Sequence, residues 1–132
     1  MKSELTIQQT AKKTNISSHT LRYYERIGLI LDINRAPNGH RRYIDADIEW
    51  IAFLKQLKAT GMPLTLMQEF AELRRQGDQT AKQRREMLES HRKVILQQMQ
   101  MLNDCLSMVD YKINRHHQSE LNNGLPLFKT VL

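Results

Sequence analysis

The sequence has few of the residues from which disulfides, metal centres and phosphate-binding loops are built. Its 132 residues include one cysteine, three prolines and five glycines. One cysteine excludes an intramolecular disulfide, and such sparse use of cysteine is typical of a reducing cytoplasm. No glycine-rich phosphate loop, Ser/His/Asp set, Cys/His set or pair of catalytic carboxylates stands out. The sequence therefore predicts a protein that is not an enzyme and that needs no cofactor and no metal ion.

Long apolar runs are also missing. No stretch of about 18 apolar residues occurs, and the N-terminus lacks the apolar segment of a signal peptide. We expect a cytoplasmic protein without a membrane partner.

Positive charge, in contrast, is abundant and unevenly placed. The formal net charge is +6, and residues 1–43 hold eight Lys and Arg against three Asp and Glu. Because these charges gather in one third of the chain, they predict a polyanionic partner at that end.

The N-terminal third reads as two short helices and a hairpin. Thr6 and Gln9 form a possible capping box for a first helix that reaches Thr14. Ser17 or Ser18 caps a second helix that ends at Gly28, and two short helices joined by a tight turn predict a helix-turn-helix.

The hairpin follows the second helix. Asn38-Gly39 is a strong turn signal, so residues 33–36 and 41–44 are predicted to pair as a small wing. A helix that can enter a groove beside a basic hairpin is typical of an interface for double-stranded DNA. The predicted DNA-binding residues are Ser18, His19, Thr20, Arg22, Tyr23, Tyr24, Arg26, Asn38, Gly39, His40, Arg41, Arg42 and Tyr43.

Three more helices are predicted to follow. Asp45 or Asp47 caps a third helix that reaches Thr60, and a fourth runs from Pro63 to Gly77. Residues 79–116 contain neither glycine nor proline, and Thr80 with Gln83 offers another capping box at their start.

Apolar residues in this last helix follow a 4-3-4-3-4 spacing from Ile95 to Ile113, with Leu88 one heptad earlier. That spacing predicts a coiled-coil seam, and no other segment of the chain is long enough to cover it. We therefore expect a homodimer. The predicted dimerisation residues are Leu88, Ile95, Met99, Leu102, Leu106, Val109 and Ile113.

Several motifs in this order resemble the MerR family of transcriptional regulators. The run from Thr20 to Ile30 resembles the family's recognition helix, the run from Asn38 to Tyr43 resembles its wing, and Gly61-Met62-Pro63-Leu64 resembles the loop before its fourth helix. The resemblance covers residues 5 to about 115.

The resemblance implies a mainly α fold with three parts. These are a winged helix-turn-helix DNA-binding domain at residues 1–76, a dimerisation helix at 79–116 that forms an antiparallel coiled coil, and a short C-terminal tail at 117–132. It further implies an activator that distorts promoter DNA in response to a stress or small-molecule signal, and that reaches RNA polymerase indirectly through the DNA.

The resemblance also suggests roles for single residues. It assigns Arg22 to base readout or the groove edge, and it assigns phosphate and sugar contacts to Tyr23, Tyr24, Arg41, Arg42 and Tyr43. From the residues alone, Glu25, Tyr24 and Tyr43 are equally compatible with structural roles.

The signal-sensing end is less defined. The cysteines of metal-sensing and iron–sulfur relatives are missing, since the single cysteine is Cys105 beside the seam. A DNA-binding architectural protein or a simple repressor without a ligand is therefore the alternative reading.

Overall fold

The structure, a computed structural model, describes residues 4–124. It confirms the mainly helical fold class, with a two-stranded antiparallel wing in which Asn34 pairs with Arg42 and Arg35 with Arg41. The elements in chain order are α1 (Ile7–Thr14), α2 (Ser18–Arg26), β1 (Asn34–Arg35), β2 (Arg41–Arg42), α3 (Asp45–Ala59), α4 (Leu64–Gln76), a 3₁₀ turn (Asp78–Thr80) and α5 (Ala81–Asn123).

Local signals build the helix-turn-helix. The Thr6 hydroxyl accepts the Gln9 backbone N–H at 3.1 Å, and the Gln9 side chain accepts the Thr6 N–H at 2.9 Å, so the predicted capping box is present. Asn15 ends α1 in the left-handed conformation (φ 57°), which Asn tolerates better than most residues. Ser17 then caps α2 by accepting the Thr20 N–H at 3.1 Å.

The N-cap of helix α3 lies one residue before Asp45 and three before Asp47, the two predicted caps. Ile44 is its N-cap, and the Asp47 carboxylate reaches back to accept the Ile44 N–H at 3.0 Å. Burial raises the pKa of the Asp47 carboxyl, which the hydrogen bond from Ile44 partly offsets.

An aromatic cluster joins α3 to α4 in the core. The Trp50 and Phe70 rings stack with centroids 5.6 Å apart, and the Arg74 guanidinium lies 5.1 Å from the Trp50 ring centroid. Ile51 and Leu54, on the same face of α3, are almost fully buried. This packing makes α3 and α4 a support for the shorter elements before them.

The chain divides into two compact units, and the first extends to His91. The start of α5 belongs to it, because Met87 and Leu88 pack against the core. His91 is buried, and its Nε2 lies 2.7 Å from the Thr60 hydroxyl at the end of α3. The predicted boundary between a DNA-binding domain at residues 1–76 and a dimerisation helix at 79–116 remains a prediction.

The second unit begins at Arg92 and contains the rest of α5. The helix continues to Asn123, so residues 117–123 of the predicted tail are helical. Remaining tail residues, 125–132, lie outside the described part. Among residues 4–124 no helix is both long enough and apolar enough to cross a membrane.

Candidate nucleic-acid interface

Helix α2 buries one face and exposes the other. Leu21 is fully buried, whereas His19, Arg22, Tyr23 and Arg26 are exposed at helical spacing. The Arg26 guanidinium lies 5.4 Å from the Tyr23 ring centroid. This exposed face therefore carries two cations and a phenol, as a recognition helix requires.

Polar contacts from α3 and α4 hold the end of α2. The Lys58 ammonium donates to the Tyr24 hydroxyl at 3.1 Å, and the Gln68 side-chain amide donates to the Ile27 carbonyl at 2.7 Å. The Trp50 indole N–H donates to the Leu29 carbonyl at 2.8 Å. Because each contact comes from a long helix, the exposed face of α2 is carried on rigid elements.

The wing closes through the turn that Asn38-Gly39 predicts. The Gly39 N–H donates to the Ala36 carbonyl, and the Ala36 N–H donates to the His40 carbonyl, both at 2.8 Å. Gly39 has φ 86°, a conformation that residues with a Cβ rarely adopt. Below the turn, the strands pair over a shorter length than the predicted 33–36 and 41–44.

A cleft of about 340 Å³ lies between α1, α2 and the wing. Its walls include parts of α2 and of the wing, the two elements that the sequence predicts to contact DNA. These walls are strongly basic. The lining residues are Thr6, Ile7, Gln8, Arg22, Arg35, Gly39, His40, Arg41 and Arg42.

One acidic side chain lies among these arginines. The Glu25 Oε1 atom is 2.8 Å from the Arg41 Nε and 3.8 Å from a terminal nitrogen of Arg35. Glu25 and Arg41 side chains are each 22% exposed, so the pair is partly shielded from water. The contact joins α2 to both strands of the wing.

Burial argues against two of the predicted phosphate contacts. Tyr43 is fully buried, and its backbone pairs with Leu5 in both directions at 2.8 Å. Burial and the neighbouring Glu25 raise the pKa of the Tyr43 hydroxyl. Tyr24 is only 7% exposed and accepts a hydrogen bond from Lys58, so it belongs to the core as well.

The other predicted residues lie at the surface or at its edge. Ser18 and Thr20 are half-buried in the first turn of α2, while Asn38 and His40 are exposed at the wing. Arg35, Thr6 and Gln8 line the cleft but are not among the predicted DNA-binding residues. The positive charge of Arg35 could have predicted its place in the cleft from the sequence. The place of Gln8 could not be predicted, because it depends on how α1 packs.

Metal chemistry finds no support in the part of the chain that the structure describes. No three His, Cys, Asp or Glu side chains lie close enough together there to hold an ion. Cys105 is an exposed thiol on α5.

Comparison with known proteins agrees with this geometry. The family model for the MerR HTH family regulatory protein matches residues 5–73, and a second model, MerR, DNA binding, matches residues 48–110. The chain belongs to the MerR family. This MerR-family protein is a transcriptional regulator with a DNA-binding domain, and it is not an enzyme.

Curated relatives and solved structures extend the match over most of the chain. The protein is 36% identical over 108 residues to an uncharacterized HTH-type transcriptional regulator of Haemophilus influenzae, which covers 82% of this chain and 80% of the relative. It is 36% identical over 93 residues to the regulator AdhR of Bacillus subtilis, covering 70% of this chain and 66% of AdhR.

Among crystal structures, the protein resembles HiNmlR, which is described as a MerR family regulator lacking the sensor domain and bound to promoter DNA. The TM-score is 0.82 at 32% identity, and the match covers 92% of this chain and 96% of that chain.

Proposed function

We propose that this MerR-family protein binds promoter DNA sequence-specifically as a homodimer, with α2 in the major groove and the wing on the phosphate backbone. The observation that carries the proposal is the basic cleft where Arg22, Arg35, Arg41 and Arg42 converge beside the exposed face of α2. The similarity to HiNmlR, a promoter-bound protein, supports the same reading. Action on promoter DNA also implies a cytoplasmic location.

The residues divide between base and backbone contacts. Arg22 is exposed on α2 and presents a guanidinium, which can donate two hydrogen bonds to the O6 and N7 atoms of one guanine. Arg42 and the exposed Tyr23 offer donors to phosphate oxygens, which position the protein without reading sequence.

A matched pair of variants tests this division. Arg22→Ala should weaken binding to a preferred duplex by roughly 1–3 kcal/mol while changing binding to random DNA much less. Arg115→Ala removes the same charge from an exposed position on α5 and serves as the control. Fluorescence anisotropy with both duplexes at several salt concentrations measures the two losses. Equal losses on both DNAs for Arg22→Ala would remove Arg22 from base readout.

The seam on α5 supports the homodimer. Five of its residues, Met99, Leu102, Leu106, Val109 and Ile113, are exposed by 52–64% in the single chain. Apolar side chains of this size each contribute about 1.5–3 kcal/mol when fully buried. A second copy is therefore the occupant that we assign to this face.

Two features of α5 favour antiparallel pairing. The seam residues from Ile95 to Ile113 are spaced symmetrically about residue 104, so an antiparallel pair lets Ile95 of one copy meet Ile113 of the other and Leu102 meet Leu106. Residues 81–103 hold five Lys and Arg against two Glu, whereas residues 104–123 hold two against three acidic residues. An antiparallel pair places the basic half of each helix beside the less basic half of its partner.

Such a dimer presents two recognition helices to two half-sites. If their separation differs from the half-site spacing of straight DNA, binding both half-sites deforms the duplex at a cost on the order of 1–6 kcal/mol. Deformation that realigns two promoter elements would let RNA polymerase engage both, so the protein acts on polymerase through the DNA and serves as an activator.

Promoters that differ only in spacer length test the deformation. We expect in vitro transcription to rise with the protein on overlong spacers and to be unchanged or reduced on spacers of ordinary length. Activation that stays constant as the spacer is shortened by single base pairs would contradict this mechanism.

A regulator without a ligand is the second candidate, because the similar protein HiNmlR is described as lacking the sensor domain. In the first candidate a stress or small-molecule signal changes transcription while the dimer stays on DNA. Transcription that depends on protein concentration alone, across a panel of metals, aldehydes and oxidants, would favour the second.

A further inference from the structure

Glu25 is an acidic residue within a surface that should attract phosphate. Four arginines line the adjacent cleft, and a carboxylate beside them weakens the attraction for a polyanion. We therefore expect Glu25 to make a stabilising contact within the fold that outweighs the weaker attraction for DNA.

The wing strands create a specific electrostatic problem. Arg35 and Arg41 are direct partners across the antiparallel pair, so their side chains leave the same face of the hairpin. Like charges directly opposite one another destabilise such a pair, and each strand is only two residues long. By itself this hairpin would be marginal.

A single carboxylate oxygen lies close to both arginines and offsets their repulsion. The Glu25 Oε1 lies 2.8 Å from Arg41 Nε and 3.8 Å from Arg35 Nη2. The other terminal nitrogen of Arg35, Nη1, donates to the Gly39 carbonyl at 2.8 Å in the turn. Glu25 on α2 is thus connected to β1, to β2 and, through Arg35, to the wing's turn.

We propose that Glu25 is a positioning residue that locks the wing against α2 before DNA binds, through the cluster of Glu25, Arg35 and Arg41, here named the wing clamp. The clamp uses the Nε of Arg41 and leaves its terminal nitrogens for the cleft that Arg22 and Arg42 also line. A preset wing angle lets both elements meet DNA at once, which favours a matching site over an arbitrary duplex. The proposal rests on the proposed DNA-binding function.

Hydrogen exchange in the DNA-free protein tests the clamp without any assumption about DNA. Glu25→Gln keeps the size of the side chain and removes its charge, and Glu49→Gln makes the same change at an exposed site on α3. We expect the amides of residues 34–36 and 38–42 to exchange at least about fivefold faster in Glu25→Gln, because local opening of the wing becomes easier. Glu49→Gln should match the unmodified protein.

A double variant distinguishes an effect that Glu25 exerts through Arg41 from a general effect on folding. In Arg41→Gln the clamp is already broken, so adding Glu25→Gln should change wing exchange by less than about twofold. Wing exchange that is unchanged in Glu25→Gln, or an equal acceleration with and without Arg41, would overturn the proposal.

DNA binding gives the functional readout. Glu25→Gln should bind random duplex more tightly, since one negative charge is gone, yet its preference for a selected site should fall by roughly three- to tenfold. Glu49→Gln should keep the preference. A preserved preference in Glu25→Gln would contradict the positioning role. If the unmodified protein shows no preference for any duplex, the proposed function fails, while the exchange experiment still decides whether the clamp exists.

Discussion

At the residue scale, burial divides the tyrosines of the first unit into two kinds. Tyr23 is 41% exposed and lies on the exposed face of α2, whereas Tyr24 and Tyr43 are core residues. Lys58 satisfies the Tyr24 hydroxyl, but the Tyr43 hydroxyl has no hydrogen-bond partner among the described residues. A buried hydroxyl without a partner costs about 1–3 kcal/mol.

Tyr43→Phe should therefore stabilise the fold, or leave it unchanged, at neutral pH. We expect a gain of up to about 1 kcal/mol in the free energy of unfolding, measured by urea titration. Affinity for DNA should stay within about twofold of the unmodified protein, because a fully buried side chain makes no phosphate contact.

The same variant has a pH signature. Burial raises the pKa of the Tyr43 hydroxyl, so the folded protein keeps this proton where the unfolded chain, with a tyrosine pKa of about 10, releases it. Its contribution to stability is complete below pH about 10 and is lost as the pH rises through the folded-state pKa. The advantage of Tyr43→Phe should thus grow above pH about 10. A destabilised variant without this pH dependence would mean that the hydroxyl is hydrogen-bonded.

The burial of Tyr24 has a local signal in the sequence, whereas the burial of Tyr43 has none. Tyr24 lies three residues after Leu21, so helical periodicity alone indicated its burial. Tyr43 is buried because its backbone pairs with Leu5, 38 positions earlier, and no local pattern encodes that contact. The Glu25–Arg41 contact has the same long-range character, which is why the positioning role of Glu25 emerges only from the fold.

At the element scale, two similar capping signals had different outcomes. Thr6 with Gln9 forms the predicted capping box. Thr80 with Gln83 has the same spacing, but the Thr80 hydroxyl donates to the carbonyls of Leu73 and Gly77. The 3₁₀ turn before α5 directs that hydroxyl back toward α4, so a tertiary contact replaces the local one.

Helix α5 was predictable in type and period, although its end was not. The absence of glycine and proline and the heptad spacing predicted a long helix. The helix runs to Asn123 rather than to the predicted residue 116, because exposed polar residues before Gly124 are tolerated in a helix.

Leu102→Glu should dissociate the proposed dimer. It places a charge near the centre of the seam in both copies. Burying an unpaired carboxylate there is unfavourable by several kcal/mol. This cost is at least as large as the roughly 1.5–3 kcal/mol that burial of a large apolar side chain contributes. Tyr111→Glu is the control, since Tyr111 is 55% exposed and lies on the opposite face of α5.

Multi-angle light scattering at micromolar concentration gives the mass of each variant. We expect dimers for the unmodified protein and Tyr111→Glu, and monomers for Leu102→Glu. A monomeric unmodified protein would exclude the seam as a dimer interface.

At the scale of the whole molecule, charge and apolar surface are separated along the chain. The basic residues that suit DNA gather in residues 1–43, and the exposed apolar side chains of the second unit lie on α5. One surface suits a polyanion and the other a second copy. Together they predict that two copies bind one DNA site with two-fold symmetry.

Selection of preferred sequences from a pool of random duplexes tests this claim most directly. We expect enrichment of an inverted repeat, with both half-sites lost or altered when Arg22→Ala replaces the unmodified protein in the selection. Enrichment of no common sequence, or of a single half-site without its inverted copy, would contradict it.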